Sequence, residues 1–294
     1  MTALPTLETA PQAPADTAPR AGRRPRARTL LLVPALLFLA LLVVAAAAPG
    51  LFTGAAPNAT HPLQALRPPG AGHWFGTDQL GRDLYTRVVY GTRLSLLLGA
   101  GSTALSVLAG AALGLTAGLG GRVADQVLMR LADVLLALPP ILLALLAVAV
   151  LGSGTVNVAL AIAAAFAPGY ARIVRAETLV VRRSGYVEAA TTLGLSRAAL
   201  IRRHVVPNAL GPLLVLATVG FGSSLIAASG LSFLGLGPQP PTAEWGAMLD
   251  QGRDFLQTAW WLGIFPGAAI TLTALVVNIV GRQAQARFTR RTGR

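Results

Sequence analysis

The sequence contains no cysteine and no lysine. The first absence excludes disulfides, thiolate nucleophiles and cysteine-ligated zinc or iron–sulfur centres. The second makes every basic side chain an arginine and removes any G-x-x-x-x-G-K-[ST] phosphate loop, so a nucleotide must be bound elsewhere. Charge of either sign is scarce: 12% of the 294 residues are charged and only 11 are acidic, about half the charge of an ordinary soluble domain. What remains is 54% hydrophobic, and its charges are bunched.

Between the bunches lie uncharged runs at Thr29–Leu66, Leu94–Gly121, Val134–Ala171, His204–Ala243 and Phe255–Gly281. Each is at least as long as the roughly 20 residues a spanning helix needs. Residues 1–28 are rich in proline, alanine and threonine and close on Arg20, Arg23, Arg24, Arg26 and Arg28, which reads as a disordered tail. The apolar core Leu30–Ala48 is 19 residues long, longer than a secretory signal and suited to a retained span.

The expected spans are 29–48, 94–119, two within 134–171 divided at Gly152-Ser153-Gly154, 210–231 and 260–281. This is an all-α membrane protein of six transmembrane helices. Residues 29–93 hold the first helix and an external segment, 94–281 form the main transmembrane domain, and 282–294 are a basic tail. With the N-terminus inside, 19 arginines fall in cytoplasmic segments and five outside. That bias puts both termini in the cytoplasm. Glycine and alanine, as at Gly99, Gly101, Ala109, Gly110, Gly114 and Gly118, suit close helix packing. Pro34, Pro139, Pro140, Pro168, Pro212 and Pro266 lie in or beside spans and permit kinks.

The cytoplasmic segment at about 185–208 carries the most information. In EAATTLGLSRAALIRRHVVPNALGP, which begins at Glu188, Glu188, Ala189 and Ala190 are helix formers following Gly185 and Gly194 permits a sharp bend. Ser196 is placed to cap a second short helix ending at Pro207. The result is a helix-turn-helix knob. This run, with Glu188, Ala189, Ala190, Gly194, His204, Pro207 and Asn208, resembles the EAA loop of permease subunits of ATP-binding-cassette importers.

Two further segments resemble the dipeptide/oligopeptide (nickel/peptide) branch of that family, in its second, C-type permease. One is FGTDQLGRDLYTRVVYGTRLSL, Phe75–Leu96, with Gly76, Asp78, Gly81, Arg82 and Asp83; the other is LSFLGLGPQPPTAEWGAMLDQGR, Leu231–Arg253, with Trp245 and Gly246. Spacing alone lets Asp78, Arg82, Asp83 and Arg87 form an ion-paired network at the outer surface. Trp245, with Glu244, Asp250 and Asp254, suits an external interface that helps receive a solute-binding protein. Asp133, beside Arg130, reads as an interfacial aspartate at a span edge. The resemblance lapses after Asn278, where NIVGRQAQARFTRRTGR has no acidic residue.

The resemblance implies a type I importer permease in the bacterial cytoplasmic membrane, working with a second permease, two ATPase subunits and an external solute-binding protein. The helix at Glu188–Leu193 would be the coupling helix and the solute a dipeptide or oligopeptide. This chain would bind no metal or cofactor and catalyse nothing, ATP being held by the partner subunits. An ion-coupled secondary transporter is the alternative, but it needs ionisable or unwound ion sites at mid-membrane and no charged residue lies near the centre of any expected span. Ser223, Ser224 and Ser229 lie in the fifth span, whereas His61, His73 and His204 are expected in loops, which excludes an intramembrane Ser-His pair. Nucleic-acid binding needs a basic face on a soluble module, and none is present.

Overall fold

The uncharged runs are apolar on all sides, and in a solvent without hydrogen-bonding capacity such segments satisfy their backbones as helices. The computed structural model describes residues 32–292, except the side chains of Leu214 and of 286–292, and the expected tail over 1–28 lies outside the described residues. The main helices are α1 (Leu32–Ala47), α2 (Leu84–Leu119), α3 (Gly121–Leu136), α4 (Pro140–Leu151) and α5 (Thr155–Arg182). They continue with α6 (Gly185–Thr192), α7 (Arg197–Leu200), α8 (Val206–Phe233), α9 (Trp245–Gly252) and α10 (Trp261–Thr292).

Helix α2 begins at Leu84, earlier than expected, because the Asp83 side chain accepts the Thr86 amide and caps it. Its 36 residues extend about 54 Å at 1.5 Å per residue, well beyond a hydrocarbon core of about 30 Å. Helix α10 likewise continues the last span through the basic segment as far as Thr292.

The expected division at Gly152-Ser153-Gly154 is present: both glycines have positive φ, 87° and 129°, and the Gly154 amide bonds the Leu236 carbonyl at 3.0 Å. The third expected span is not one helix. The uncharged run hides a 98° bend between α3 and α4, where extended Pro139 precedes Pro140 at the first helical position. Among the described residues, four helices are long and apolar enough to cross a membrane, five if α3–α4 counts as one, and α1 is a shorter apolar helix. The six expected spans correspond to six apolar elements in the expected order, but not to six long helices.

The bundle has an inverted surface. Leu37 (71% exposed), Leu108 (67%), Val150 (79%) and Val156 (69%) face outward, as lipid permits and water does not. Inside, small hydroxyl residues return their protons to their own helix: Thr103 to Gly99, Ser106 to Ser102 and Thr178 to Val174 carbonyls, at 2.6–2.7 Å. The α2–α5 contact is made by Gly110, Gly114 and Gly118, one turn apart, against Tyr170, Val174 and Thr178. A Cβ on Gly114 would stand 2.5 Å from the Ala171 carbonyl oxygen and 2.7 Å from the Val174 Cβ. Gly114→Val is expected to force the two helices apart and to lower stability by about 3 kcal/mol, the upper end for overpacking, read as earlier thermal unfolding in detergent.

Candidate functional site

The ends of α2, α5 and α8 meet in a small apolar cluster of Val181, Val187, Val205, Leu119 and Leu200, and the predicted knob is built on it. Helix α6 follows Ser184, whose hydroxyl donates to the Val181 carbonyl at 2.6 Å. It ends as the sequence predicts: Gly194 has φ +81°, its amide bonds Thr191 O at 3.0 Å and the Leu195 amide reaches back to Ala190 O at 3.2 Å. This paired closure needs a left-handed residue that glycine supplies without strain. Ser196 then caps α7 by accepting the Ala199 amide.

The second short helix does not end at Pro207, however. It passes through a π-helical turn, Ile201–Val205, into α8 without a break. Pro207, which has no N–H to give the helical ladder, is the second residue of α8 and stands directly after the π turn, where the helical register changes. His204, expected in a loop, lies on the π turn, 6.4 Å ring to ring from Tyr186, and its carbonyl accepts the Asn208 side-chain amide at 2.6 Å.

Of the predicted coupling residues, Glu188, Ala189 and Gly194 share the exposed side of the knob, with Leu193 82% exposed beside them. Ala190 turns inward with Val187. Pro207 and Asn208 are exposed on the first turn of α8 and His204 is partly buried. Arg182, which the sequence reading did not single out, donates through Nη1 to the Gly118 carbonyl near the end of α2. That places a cation where the helix dipole is negative and ties the knob end of α5 to α2.

The two other motifs meet at the opposite end of the bundle. Gly76 and Gly81 have φ of 78° and 72°, and a Cβ on Gly81 would lie 1.9 Å from the His61 carbonyl oxygen. These turns deliver Asp78, which is only 4% exposed. Its Oδ1 accepts the Leu80 and Arg82 amides at 2.9 Å, and its Oδ2 accepts Arg82 Nε at 2.6 Å with Arg87 Nε at 3.6 Å. The network expected at the surface is therefore buried, with Arg82 and Arg87 at 2% and 1% exposure. Spacing signals proximity but not depth. Asp83 stands apart from it, pairing with His73 at 2.9 Å while capping α2.

Trp245 is also not where the sequence suggests. It is completely buried, with its ring N–H donating to the Val88 carbonyl of α2 at 2.9 Å and its amide to Ser95 Oγ at 3.1 Å. Gly246 lies against the Ser229 backbone, 2.5 Å from an added Cβ. Neither can meet a soluble partner directly. Arg82 Nη2 reaches Gln251 of α9 at 2.9 Å, and Arg87 Nη1 bonds Asn58 and the carbonyls of Pro57 and Pro241 at 3.0–3.3 Å. The two motifs thus form one dovetailed plug that joins α2, α9 and the segments before and between them.

Glu244 caps α9 from within this plug, accepting the Gly246 and Ala247 amides and the Ser95 hydroxyl at 2.8–3.1 Å. Burial pushes its carboxyl above the usual range, against the lowering effect of these hydrogen bonds. The folded protein therefore retains this proton at a pH where the unfolded chain has released it. This contribution is full below the ordinary glutamate range and lost as pH rises through the raised value. Melting temperature is expected to fall across that window in the native protein and to fall less steeply in Glu244→Gln, measured by thermal scans in detergent at matched ionic strength.

Asp133 forms an exposed pair with Arg172, not with its neighbour Arg130, and Asp125 pairs with Arg175, Nη2 to Oδ2 at 2.6 Å. These links between α3 and α5 join residues far apart in the chain, and no local pattern announces them.

The family described as "Binding-protein-dependent transport system inner membrane component" matches residues 110–294. A dipeptide transport system permease protein of Alkalihalophilus pseudofirmus is 41% identical over 252 residues, 86% of this chain and 83% of its own length. A glutathione transport system permease protein of Shigella dysenteriae serotype 1 is 41% identical over 263 residues, 88% of this chain and 86% of its own. A di/tripeptide transport system permease protein of Pseudomonas aeruginosa is 45% identical over 206 residues, 70% and 68%. Among solved structures, an inward-facing MetNI methionine ABC transporter chain superposes with a TM-score of 0.55 at 16% identity, covering 67% of this chain and 94% of that one. A chain of an amino acid ABC transporter gives 0.52 at 21%, covering 70% and 95%. At these identities the two structures speak for the fold.

Proposed function

The chain belongs to the family of binding-protein-dependent transport system inner membrane components, and from that premise we propose that it is the permease subunit of an ATP-driven peptide importer, forming part of the path for a dipeptide, oligopeptide or related small solute. The observation that carries the mechanism is the knob. It exposes Glu188, Ala189, Leu193 and Gly194 on one side while its other side is keyed by Val187 and Val205 into the ends of three long helices. A partner that grips the exposed side moves those helices. In this reading the partner is one of two ATPase subunits: their ATP-driven closure draws the knob of this chain toward that of a second permease and turns the path outward, and hydrolysis resets it. ATP chemistry stays on the partners and this chain catalyses nothing.

Peptide as the cargo class is supported by the relatives at 41–45% identity, which are dipeptide, di/tripeptide and glutathione transport system permeases. The family description supports an inner membrane, and the arginine bias supports an orientation with the knob and both termini on the cytoplasmic side. The buried plug then faces outward and supports the surface on which a solute-binding protein presents its cargo. In place of Trp245, the exposed candidates at that end include Leu63 and Trp74, at 97% and 66% exposure. Ion-coupled carriage loses its footing with the family assignment.

The test is purification of the tagged chain in mild detergent, identification of co-purifying chains by mass spectrometry, and reconstitution of the assembly in liposomes. Recovery of a second permease with ATPase subunits, and peptide uptake that requires ATP and the binding protein, is the expected result. A lone chain that moves solute down an ion gradient without ATP would overturn it.

A further inference from the structure

Helix α3 has three unlike sides, and the coupling knob uses none of them. At roughly 100° per residue, Val123, Val127, Leu131 and Val134 fall along one side, and they are 75%, 60%, 53% and 63% exposed. The side turned to the bundle carries buried Ala132 and places Asp125 on Arg175 of α5. On the remaining edge stand Arg122, Gln126 and Arg130, all exposed, with Asp133 beside them held by Arg172. Neither Arg122 nor Arg130 has an ion pair among the described residues. Because α5 neutralises both aspartates, this edge keeps two uncompensated positive charges.

The backbone sets how these sides lie. Gly121, at φ +89°, turns the chain at the knob end of α2, and α3 is bent 98° from α4. With α4 along the membrane normal, α3 lies in the membrane plane at the level of the headgroups. An apolar side next to a basic edge, in that plane, has the chemistry of an interfacial helix on an anionic bilayer. We infer that α3 is an interfacial helix that sets Val123, Val127, Leu131 and Val134 into the acyl boundary of the knob-side leaflet and places Arg122 and Arg130 on the phosphates of anionic phospholipid. The ion pairs to Arg172 and Arg175 transmit the position of that helix to α5, which leads directly into the knob. The inference rests on the membrane transporter reading given above.

The absence of cysteine makes the test direct. Val127→Cys and Gln126→Cys, each introduced singly into the assembled transporter, are labelled with a nitroxide and reconstituted, with the unsubstituted assembly as the blank. The label at 127 is expected to be relaxed by oxygen and shielded from an aqueous nickel chelate, and the label at 126 to show the reverse. A label at 127 open to the chelate, or closed to both reagents because another protein surface covers it, overturns the inference. The charge arm compares retained phosphatidylglycerol with retained phosphatidylcholine by native mass spectrometry. The Arg122→Gln/Arg130→Gln variant is expected to lose preference for the anionic lipid by about fivefold per arginine, the equivalent of about 1 kcal/mol each. An unchanged preference overturns the headgroup assignment. ATP-driven uptake measured on the same samples separates this failure from failure of the transporter reading, which would abolish uptake in every sample.

Discussion

Asp78→Ala is expected to destabilise the protein by about 3–5 kcal/mol, the cost of leaving buried charge without its partner. Asp78 accepts two backbone amides and the Arg82 guanidinium, and pairs with Arg87 at 3.6 Å, at a site sealed from solvent. Its loss strands Arg82 and Arg87 together, two like charges of 2% and 1% exposure. Removing Arg87 as well should restore part of the loss, because one stranded charge goes with it. The double variant should then be less damaged than the sum of the singles. Chemical or thermal unfolding of the purified subunit reads this cycle directly. A loss near 0.5 kcal/mol, of the size typical for an exposed pair, would show that water reaches the network.

The second large effect concerns transmission. Gly194→Val puts a branched side chain at φ +81°, where only glycine is comfortable, so the turn between α6 and α7 must reopen and the exposed side of the knob loses its shape. Glu188→Arg keeps the helix and reverses the charge on that exposed side. Both variants should insert and assemble with the second permease, yet ATP-driven uptake should fall by tenfold or more, while hydrolysis persists without stimulation by solute. Gly194→Ala is expected to be milder than valine. Wild-type uptake with normal solute-stimulated hydrolysis in Glu188→Arg would remove this residue from the coupling surface.

How far the sequence could be read depended on whether a feature was local. Gly194, Ser196 and the Gly152–Gly154 turn were legible because a left-handed residue or a cap is decided by its immediate neighbours. Small residues in α2 announced close packing, but not which of them would make it: Gly114 lies against α5, whereas Gly101 has open space around it. Trp245 reads as an interface residue because aromatics next to acids so often are. Its true environment is set by the Val88 carbonyl and Ser95, some 150 positions away in the chain, and such pairings leave no trace in spacing. The bend at Pro139 is hidden for a different reason: the last turn of α3, the bend and all of α4 are uncharged, so hydropathy joins them into one run. The continuation through Pro207 follows from a π turn that resets the helical register, for which the sequence carries no evident mark.

Helix α2 touches both the knob and the plug. Near its start the Val88 carbonyl holds Trp245, and near its end the Gly118 carbonyl holds Arg182, with no break in the helix between them. A continuous helix of this kind behaves as a lever whose fulcrum is the glycine contact with α5. From Gly114 to Leu84 the arm is about 45 Å, and a tilt of roughly 10° about that contact displaces the outer end by about 8 Å. A modest pull at the knob thus reaches the outer plug as a movement comparable to the width of a peptide, without any side chain along the way having to change its rotamer.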